Sequence, residues 1–155
     1  MQNSAFAEYR ESSIRGYAEE NVAAGRWPAE GAMERSAADY LDSLPQGLAT
    51  PDNFLYEIHS SAIDGIPSHR VGYLWYAIVT KNGVRAGYVY DLEVSPEFRR
   101  QGHAECAFAA LEPIARELKL ASIGLHVFAH NAGAQALYAK LGYKVTGLNM
   151  VKHLE

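Results

Sequence analysis

Residues 92–104 combine types and an order that could bind an anion. An apolar stretch ends at Val94, a turn follows, and Gly102 stands at the start of a predicted helix. The first amide N–H groups of a helix lack partners within it and attract anions, and a glycine lets a bulky diphosphate approach the backbone. Arg99 and Arg100 add positive charge. By itself this short pattern is also typical of an ordinary helix start.

A second group of residues lies downstream, where another helix is predicted. Asn131 is followed by Ala136-Leu137-Tyr138 and then by a Leu-Gly-Tyr triplet at residues 141–143. With the earlier pattern Arg-x-x-Gly-x-Ala at residues 99–104, this block resembles two motifs of the GNAT superfamily, the acyl-CoA-dependent N-acyltransferases. Residues 17–20, 44–51 and 126–131 resemble one poorly characterised bacterial subgroup of that family.

The resemblance implies a binding site for acetyl-CoA, the acyl donor. Backbone groups of Leu92 and Val94 would pair with the pantetheine arm like an added strand, and Asn131 would hydrogen-bond the pantetheine or a phosphate. The turn into the following helix would hold the diphosphate. Its residues are Arg99, Arg100, Gln101, Gly102, His103 and Ala104.

The resemblance also implies transfer of an acetyl group to a primary amine, of a small molecule or a protein, by direct attack in a ternary complex. His126, Glu93 and Asp91 are the candidates for the base that deprotonates the amine, and the choice among them stays open. Tyr138 occupies the family's general-acid position and would protonate the leaving thiolate. The alternative is a catalytically silent CoA-binding sensor, but retention of Tyr138 with the three base candidates favours an enzyme.

Hydrophobic periodicity predicts the elements that must position these residues. Apolar residues recur at helical spacing from Phe6 to Val22, and Pro28 is suited to begin a second helix that ends near Leu44. Residues 54–59, 71–80 and 84–94 are rich in β-branched and aromatic types and predict three strands. The dipeptide at residues 82–83, Asn-Gly, predicts a type I′ hairpin turn between the last two.

The remainder predicts alternating helices and strands. A helix is expected over residues 101–118 with a kink at Pro113, then a strand over 123–128 and a helix capped by Asn131. A final strand is expected over residues 143–152. The fold class is therefore α/β with mixed α+β character: a GNAT fold whose mostly antiparallel sheet is splayed in the middle and flanked by about four helices. Almost nothing precedes Phe6, so the family's first strand is expected to be short or absent.

Composition excludes several classes of protein. The chain has 155 residues, 48% hydrophobic and 21% charged, which is typical of a single globular domain over residues 1–155. Its net charge of −4 disfavours a nucleic-acid partner. The single cysteine, Cys106, excludes an intramolecular disulfide, and six scattered histidines predict no metal site. Without a signal peptide or an apolar run of membrane length, a cytoplasmic location and no membrane partner are expected. The acceptor amine, the acyl length and the oligomeric state, a homodimer included, stay open.

Overall fold

The computed structural model describes residues 1–62, 66–152 and 154. The helices are α1 (Asn3–Ala23), α2 (Ala32–Ser43), α3 (His103–Glu117) and α4 (Ala132–Lys140). The strands are β1 (Asn53–His59), β2 (Arg70–Lys81), β3 (Val84–Val94) and β4 (Ile123–Leu125). Single 3₁₀ turns, Gly47–Ala49 and Pro96–Phe98, precede β1 and α3. The predicted mixed class is confirmed. Among the described helices none is both long and apolar enough to cross a membrane.

Strands β1, β2 and β3 form the predicted antiparallel meander, with β2 in the middle. Asn82 and Gly83 join β2 to β3 with φ angles of 52° and 75°. Both residues thus adopt the positive φ that a type I′ turn requires, and the predicted hairpin is confirmed. Its return strand begins at Val84 and ends at Val94, as the sequence predicts.

Helices cover both faces of the sheet because alternate residues of β2 point to opposite sides. On one side, here called the α1 face, the sheet packs against α1 and α2 through Tyr9, Tyr40, Tyr73 and Trp75. On the other, the α3 face, it packs against α3 through Leu74, Tyr76, Phe108 and Leu111. The two clusters hold the middle of the sheet rigidly between two helical layers.

A β-bulge interrupts the pairing of β2 with β3. Trp75 lies opposite Asp91, whereas the next residue, Tyr76, lies opposite Val89, so Tyr90 is an extra residue on β3. A bulge of this kind re-aims neighbouring side chains. The Tyr90 ring stacks on Trp75 with 4.6 Å between centroids, which places it on the α1 face.

The sheet is splayed between β3 and β4. The parallel pairing with β4 covers only residues 87–89, and β3 continues for five more residues to Val94. Just beyond, the Ser95 amide donates to the Val71 carbonyl of β2 at 2.9 Å. Because backbone groups alternate in direction along a strand, those of Leu92 and Val94 point away from β2. They face the gap where β4 no longer runs alongside.

The prediction of a final strand at residues 143–152 is wrong. After α4 the chain turns at Gly142, whose φ is +85°, and no strand forms over the described residues 144–152. A strand needs a neighbour for its N–H and C=O groups, and the chain here does not run beside one. The strand predicted to reach Phe128 ends at Leu125 for a related reason, since β3 offers it a partner over only three residues.

The helices differ from the predicted ones mainly in where they begin and in which residues they bury. In the described part of the chain α1 begins at Asn3 with no strand before it, in line with the expectation of a short or absent first strand. Burial on α1 falls on Ala5, Tyr9, Ala18 and Asn21. Of the predicted apolar stripe only Ala18 is among them, although Phe6 and Ile14 pack partly buried against the core. The second helix begins at Ala32 instead of Pro28, and α3 continues unbroken past Pro113.

Candidate active site

The start of α3 presents unpaired backbone donors. Gly102 is its N-cap with φ of +85° and provides no side-chain cap, and Arg100 before it also has a positive φ, 62°. The Cys106 amide is the one that closes the first helical turn, donating to the Gly102 carbonyl at 3.0 Å. The amides of residues 103–105 are therefore left without helical partners. A Cβ built on Gly102 would meet no heavy atom within 4 Å, so the backbone borders open space.

The side chains of the turn before α3 brace it. Arg99 donates through Nε to the Val94 carbonyl at 2.9 Å, and Gln101 donates through Nε2 to the Glu97 carbonyl at 3.2 Å. Arg99 therefore ties the end of β3 to the helix start. Arg100 is exposed beside the same turn and adds its positive charge there.

The open edge of β3 adjoins this helix start. Arg99 already occupies the Val94 carbonyl, which leaves the Val94 N–H and both backbone groups of Leu92 facing the gap. An extended chain entering the gap could bond to these groups as a strand would. The structure thus brings together the predicted binding residues of β3 and those of the following turn.

Asp91 lies on the α1 face, beneath α1. The Tyr9 hydroxyl donates to its Oδ2 at 2.9 Å. Burial, reinforced by the nearby charge of Glu93, raises the pKa of Asp91 from 3.8 to about 6, although hydrogen bonds from Tyr9 and Ser13 oppose the shift. The carboxyl is therefore poised to take up and release a proton near neutral pH. Sequence reasoning missed Tyr9 because no motif marks it and its packing against β3 is a long-range contact.

Glu93 lies two residues further along β3 on the same face. Its Oε2 is 3.2 Å from the Ser12 hydroxyl of α1, which also lies 3.0 Å from the Tyr9 carbonyl. Two carboxylates, Asp91 and Glu93, therefore point toward the same stretch of α1. The arrangement concentrates negative charge beside the open edge of β3.

Tyr138 of α4 approaches the gap from the α3 face. Its ring packs edge-on against Phe108 with 5.4 Å between centroids and lies 5.8 Å from the Tyr143 ring. Burial, followed by the charge of Asp91, raises the pKa of the Tyr138 hydroxyl. Within the described residues that hydroxyl has no hydrogen-bond partner. The hydroxyl therefore stays protonated at neutral pH.

His126 lies just past the end of β4 and is exposed. Its ring packs edge-on against Phe128 with 5.0 Å between centroids, and burial, aided by the charge of Arg26, lowers its pKa. No hydrogen bond joins it to Asp91 or Glu93 in the described part of the chain. His126 therefore does not share the contacts with α1 that hold Asp91 and Glu93.

Asn131 is the N-cap of α4, as the sequence predicts. Its Oδ1 accepts a hydrogen bond from the Ala134 amide at 3.1 Å. Capping occupies the oxygen and leaves the side-chain N–H groups as donors. Any contact of Asn131 with a ligand would use those donors.

A group of aromatic and charged side chains connects α1 to the loop after β4. Glu20 pairs with His130 at 2.5 Å, and the Arg26 guanidinium lies over the Phe128 ring at 5.3 Å. The Tyr17 ring packs edge-on against the tryptophan ring of the α1–α2 loop, with 5.3 Å between centroids. These contacts hold the end of α1 to the α1–α2 loop and to the loop after β4.

Two open cavities of about 420 and 450 Å³ lie elsewhere, between α1 and α2. Neither is lined by residues of β3 or of the α3 start. In the described part of the chain, no group of three or more His, Cys, Asp or Glu side chains is arranged to hold a metal ion.

Comparison with known proteins decides the family. The sequence model described as the Acetyltransferase (GNAT) family matches residues 29–143, which hold α2, all four strands, α3 and α4. The chain belongs to the GNAT acetyltransferase family. The GNAT membership predicted from the two motifs is confirmed.

Relatives of this GNAT chain extend over nearly its whole length. YycN of Bacillus subtilis (strain 168), named an uncharacterized N-acetyltransferase, is 35% identical over 154 residues, 99% of this chain and 96% of YycN. YdgE of the same organism, named likewise, is 30% identical over 99% of this chain and 95% of its own. The crystal structure of YycN as a putative acetyltransferase superposes with a TM-score of 0.89 over 100% of this chain and 96% of that one. A putative acetyl transferase from Pyrococcus furiosus, 26% identical, gives 0.68 over 95% of both chains.

Proposed function

We propose that this GNAT protein transfers an acetyl group from acetyl-CoA to a primary amine of a small molecule or protein. The observation that carries the proposal is the adjacency of the unpaired amides of α3 to the unpaired edge of β3. A molecule with a diphosphate at one end and an amide-bearing arm at the other complements both. Acetyl-CoA has that composition.

Donor binding would use backbone groups more than side chains. The amides of Gly102, His103 and Ala104 would hold the diphosphate, with Arg100 adding charge. The pantetheine arm would lie along β3 at Leu92 and Val94. Open space beside Gly102 fits this assignment, because a Cβ there would stand where the phosphate approaches.

The acceptor amine would attack the thioester carbonyl directly, so amine and donor must be bound together. Asp91 is the base that the geometry favours, acting directly or through one water, because it is partly buried beside the gap and has a pKa raised to about 6 by burial. Glu93 stays the second candidate on the same face. His126 stays the third, an exposed side chain just past the end of β4.

The remaining steps concern the charge that develops on the donor. The Val94 N–H, unpaired at the open edge, would stabilise the thioester oxygen as it becomes negative. Tyr138 would then give its proton to the leaving thiolate. A phenol is protonated at neutral pH, and the raised pKa of Tyr138, due to burial, keeps it so.

The acceptor end of the gap favours a cation. Asp91 and Glu93 bring carboxylates to it, and the ring of Tyr90 lies on the same face of the sheet. Carboxylates and aromatic faces both attract an ammonium group. This chemistry supports an amine acceptor and does not select one compound.

The test is release of CoA thiol from acetyl-CoA over a panel of amines that includes polyamines, amino acids and peptides with free amino termini. We expect amine-dependent release with at least one class. If acetyl-CoA binds and stays intact with every amine, so that no CoA thiol is released, the result would favour the silent CoA-binding sensor. Failure to bind acetyl-CoA would exclude both.

A further inference from the structure

Three hydroxyl groups of α1 meet the two carboxylates of β3. The Tyr9 hydroxyl donates to Asp91 Oδ2 at 2.9 Å, and the Ser12 hydroxyl donates to Glu93 Oε2 at 3.2 Å. Ser13 gives a further hydrogen bond to Asp91. The proposed reaction assigns a step to Asp91 but none to these hydroxyls, so their role is open.

Tyr9 is the most deeply buried of the three. Only 1% of it is exposed, and its ring packs on the Tyr73 ring of β2 with 5.1 Å between centroids. It belongs to the same buried cluster as Tyr40 and Leu44. Side chains packed at this density keep one rotamer, so the Tyr9 hydroxyl is held at the Asp91 carboxyl.

We infer that Tyr9, assisted by Ser13, is a positioning residue for the base of the proposed acetyl transfer, an inference that rests on Asp91 being that base. The hydrogen bond to Oδ2 fixes the direction of the Asp91 carboxyl group. A carboxylate offers about four acceptor positions, so capacity remains for the proton of the amine after Tyr9, Ser13 and the Leu92 amide have bonded. A base held in one direction needs no rearrangement when the substrate arrives.

The same hydrogen bonds adjust how tightly Asp91 holds a proton. Burial raises the pKa of Asp91 most and the charge of Glu93 adds to it, whereas hydrogen bonds from Tyr9 and Ser13 lower it because they stabilise the charged form. Among the described residues, the titratable groups that face Asp91 from α1, α2, α4 and its own strand are Tyr9, Tyr40, Tyr138 and Glu93. Tyr9 therefore counteracts burial and keeps the pKa of Asp91 from rising further above 6.

The first experiment follows the Asp91 proton directly and needs no substrate. Carbon-13 NMR of the aspartate carboxyl groups is recorded against pH, and the signal missing in Asp91→Asn is that of Asp91. We expect Tyr9→Phe to raise the midpoint of this titration by roughly one pH unit, because it removes a donor to the charged form. Ser13→Ala, which leaves the packing of the Tyr9 ring untouched, should shift the midpoint in the same direction. Circular dichroism establishes that each variant is folded, and midpoints that stay or fall in the folded variants overturn the inference.

Tyr40→Phe is the matched control. It removes a hydroxyl from the same buried cluster, but that hydroxyl has no hydrogen-bond partner among the described residues. The midpoint of the Asp91 titration should therefore equal that of the parent. A shift as large as that of Tyr9→Phe would assign the effect to general repacking and would also overturn the inference.

The second experiment measures kcat/KM against pH with an amine that the parent acetylates. Since this ratio reports ionisation of the free enzyme, its midpoint should rise in Tyr9→Phe by the same interval as in the NMR titration, with acetyl-CoA affinity unchanged. If Asp91→Asn keeps the parent's turnover, Asp91 is not the base and the inference fails with that assignment, whereas acetyl transfer itself stands. If Asp91→Asn is inactive and the profile of Tyr9→Phe does not move, only the positioning role fails. If the parent acetylates no amine, the proposed function fails and the inference fails with it.

Discussion

At the scale of single residues, the gap between β3 and β4 separates a carboxyl from a phenol. Asp91 lies on the α1 face and Tyr138 reaches in from the α3 face, yet the charge of Asp91 helps raise the pKa of Tyr138 after burial. A carboxyl and a phenol so arranged suit the proposed reaction, in which one group would take up a proton and the other would return one. Three substitutions test the parts of this arrangement separately.

Gly102→Glu should weaken acetyl-CoA binding by roughly 100-fold or more, about 2.7 kcal/mol, because a side chain and a negative charge would enter the diphosphate site. Titration calorimetry measures the affinity. Gly83→Glu is the matched control, since Gly83 also has a positive φ, 75°, and open space around it, but lies at the hairpin tip. Both variants should lose similar stability from backbone strain. Equal affinity in the two would contradict the site.

Asp91→Asn should abolish most of the turnover while making the protein more stable at neutral pH. Because the folded pKa of Asp91 is raised, to about 6 by burial, the folded state holds this proton more tightly than the unfolded state. The stability of the parent therefore falls as pH rises from about 4 to 6. The variant avoids that loss, worth on the order of 2–3 kcal/mol. Its advantage in melting temperature should grow across that range and then level off.

Glu57→Gln is a control in which the effect on stability should have the opposite sign, because the pKa of Glu57 is lowered and that of Asp91 is raised. The Gln2 amide, donating to this carboxylate, holds the pKa of Glu57 below its usual value. Its contribution to stability is present above the unfolded pKa and is lost as pH falls through the folded one. Glu57→Gln should therefore melt lower than the parent at neutral pH, with the deficit shrinking in acid. If Asp91→Asn behaved in the same way, Asp91 would be a stabilising ion and not a poised base.

Tyr138→Phe should lower turnover on the order of 100-fold and leave the melting temperature nearly unchanged. The ring contacts with Phe108 and Tyr143 survive the substitution, and the hydroxyl has no partner to lose among the described residues. Steady-state rates at saturating acceptor, together with thermal melts, measure the two effects. Turnover like the parent's would mean that water protonates the thiolate.

At the scale of elements, α3 begins with a turn suited to binding an anion, but its interior contains a proline, which disfavours a helix. Its first turn keeps free amides for a ligand, whereas Pro113 inside it lacks an N–H and crowds the preceding turn. The helix nevertheless continues past this proline because Phe108, Leu111 and Ala115 are buried against the sheet. Packing outweighs local propensity here.

Pro113→Ala should therefore raise the melting temperature, by the equivalent of about 1–3 kcal/mol, since it restores one helical hydrogen bond and the site is exposed. Pro96→Ala is the control, because Pro96 stands in the first turn of a 3₁₀ segment where proline is favourable. It should give no gain. A Pro113→Ala variant that melts lower would show that the helix is bent to fit its proline.

At the scale of the whole molecule, a four-stranded sheet lies between two helical layers, with β1 and β4 as its two edges. The gap beside β3 opens next to the β4 edge because the pairing with β4 ends at Val89. The packing of the helices against the sheet therefore sets where a ligand could enter.

The amino-acid sequence by itself determined the local elements and the family. The hairpin at residues 82–83, the Asn131 cap and the glycine at the α3 start follow from the backbone demands of a few neighbouring residues, so they are visible in one dimension. The two motifs that indicated the GNAT family lie in such segments. Local chemistry of this kind does not depend on the rest of the chain.

Only the tertiary structure decided which residues meet. The hydrogen bond from Tyr9 to Asp91 spans 82 residues, and the bulge at Tyr90 depends on pairing with β2. His126 and Asp91 were both candidates in sequence, and only the structure shows that Asp91 is hydrogen-bonded to α1 whereas His126 is exposed past β4. The final strand over residues 143–152 was predicted from composition, but a strand forms only where a partner edge is available. Long-range pairing, which the order of residues does not encode locally, made each of these decisions.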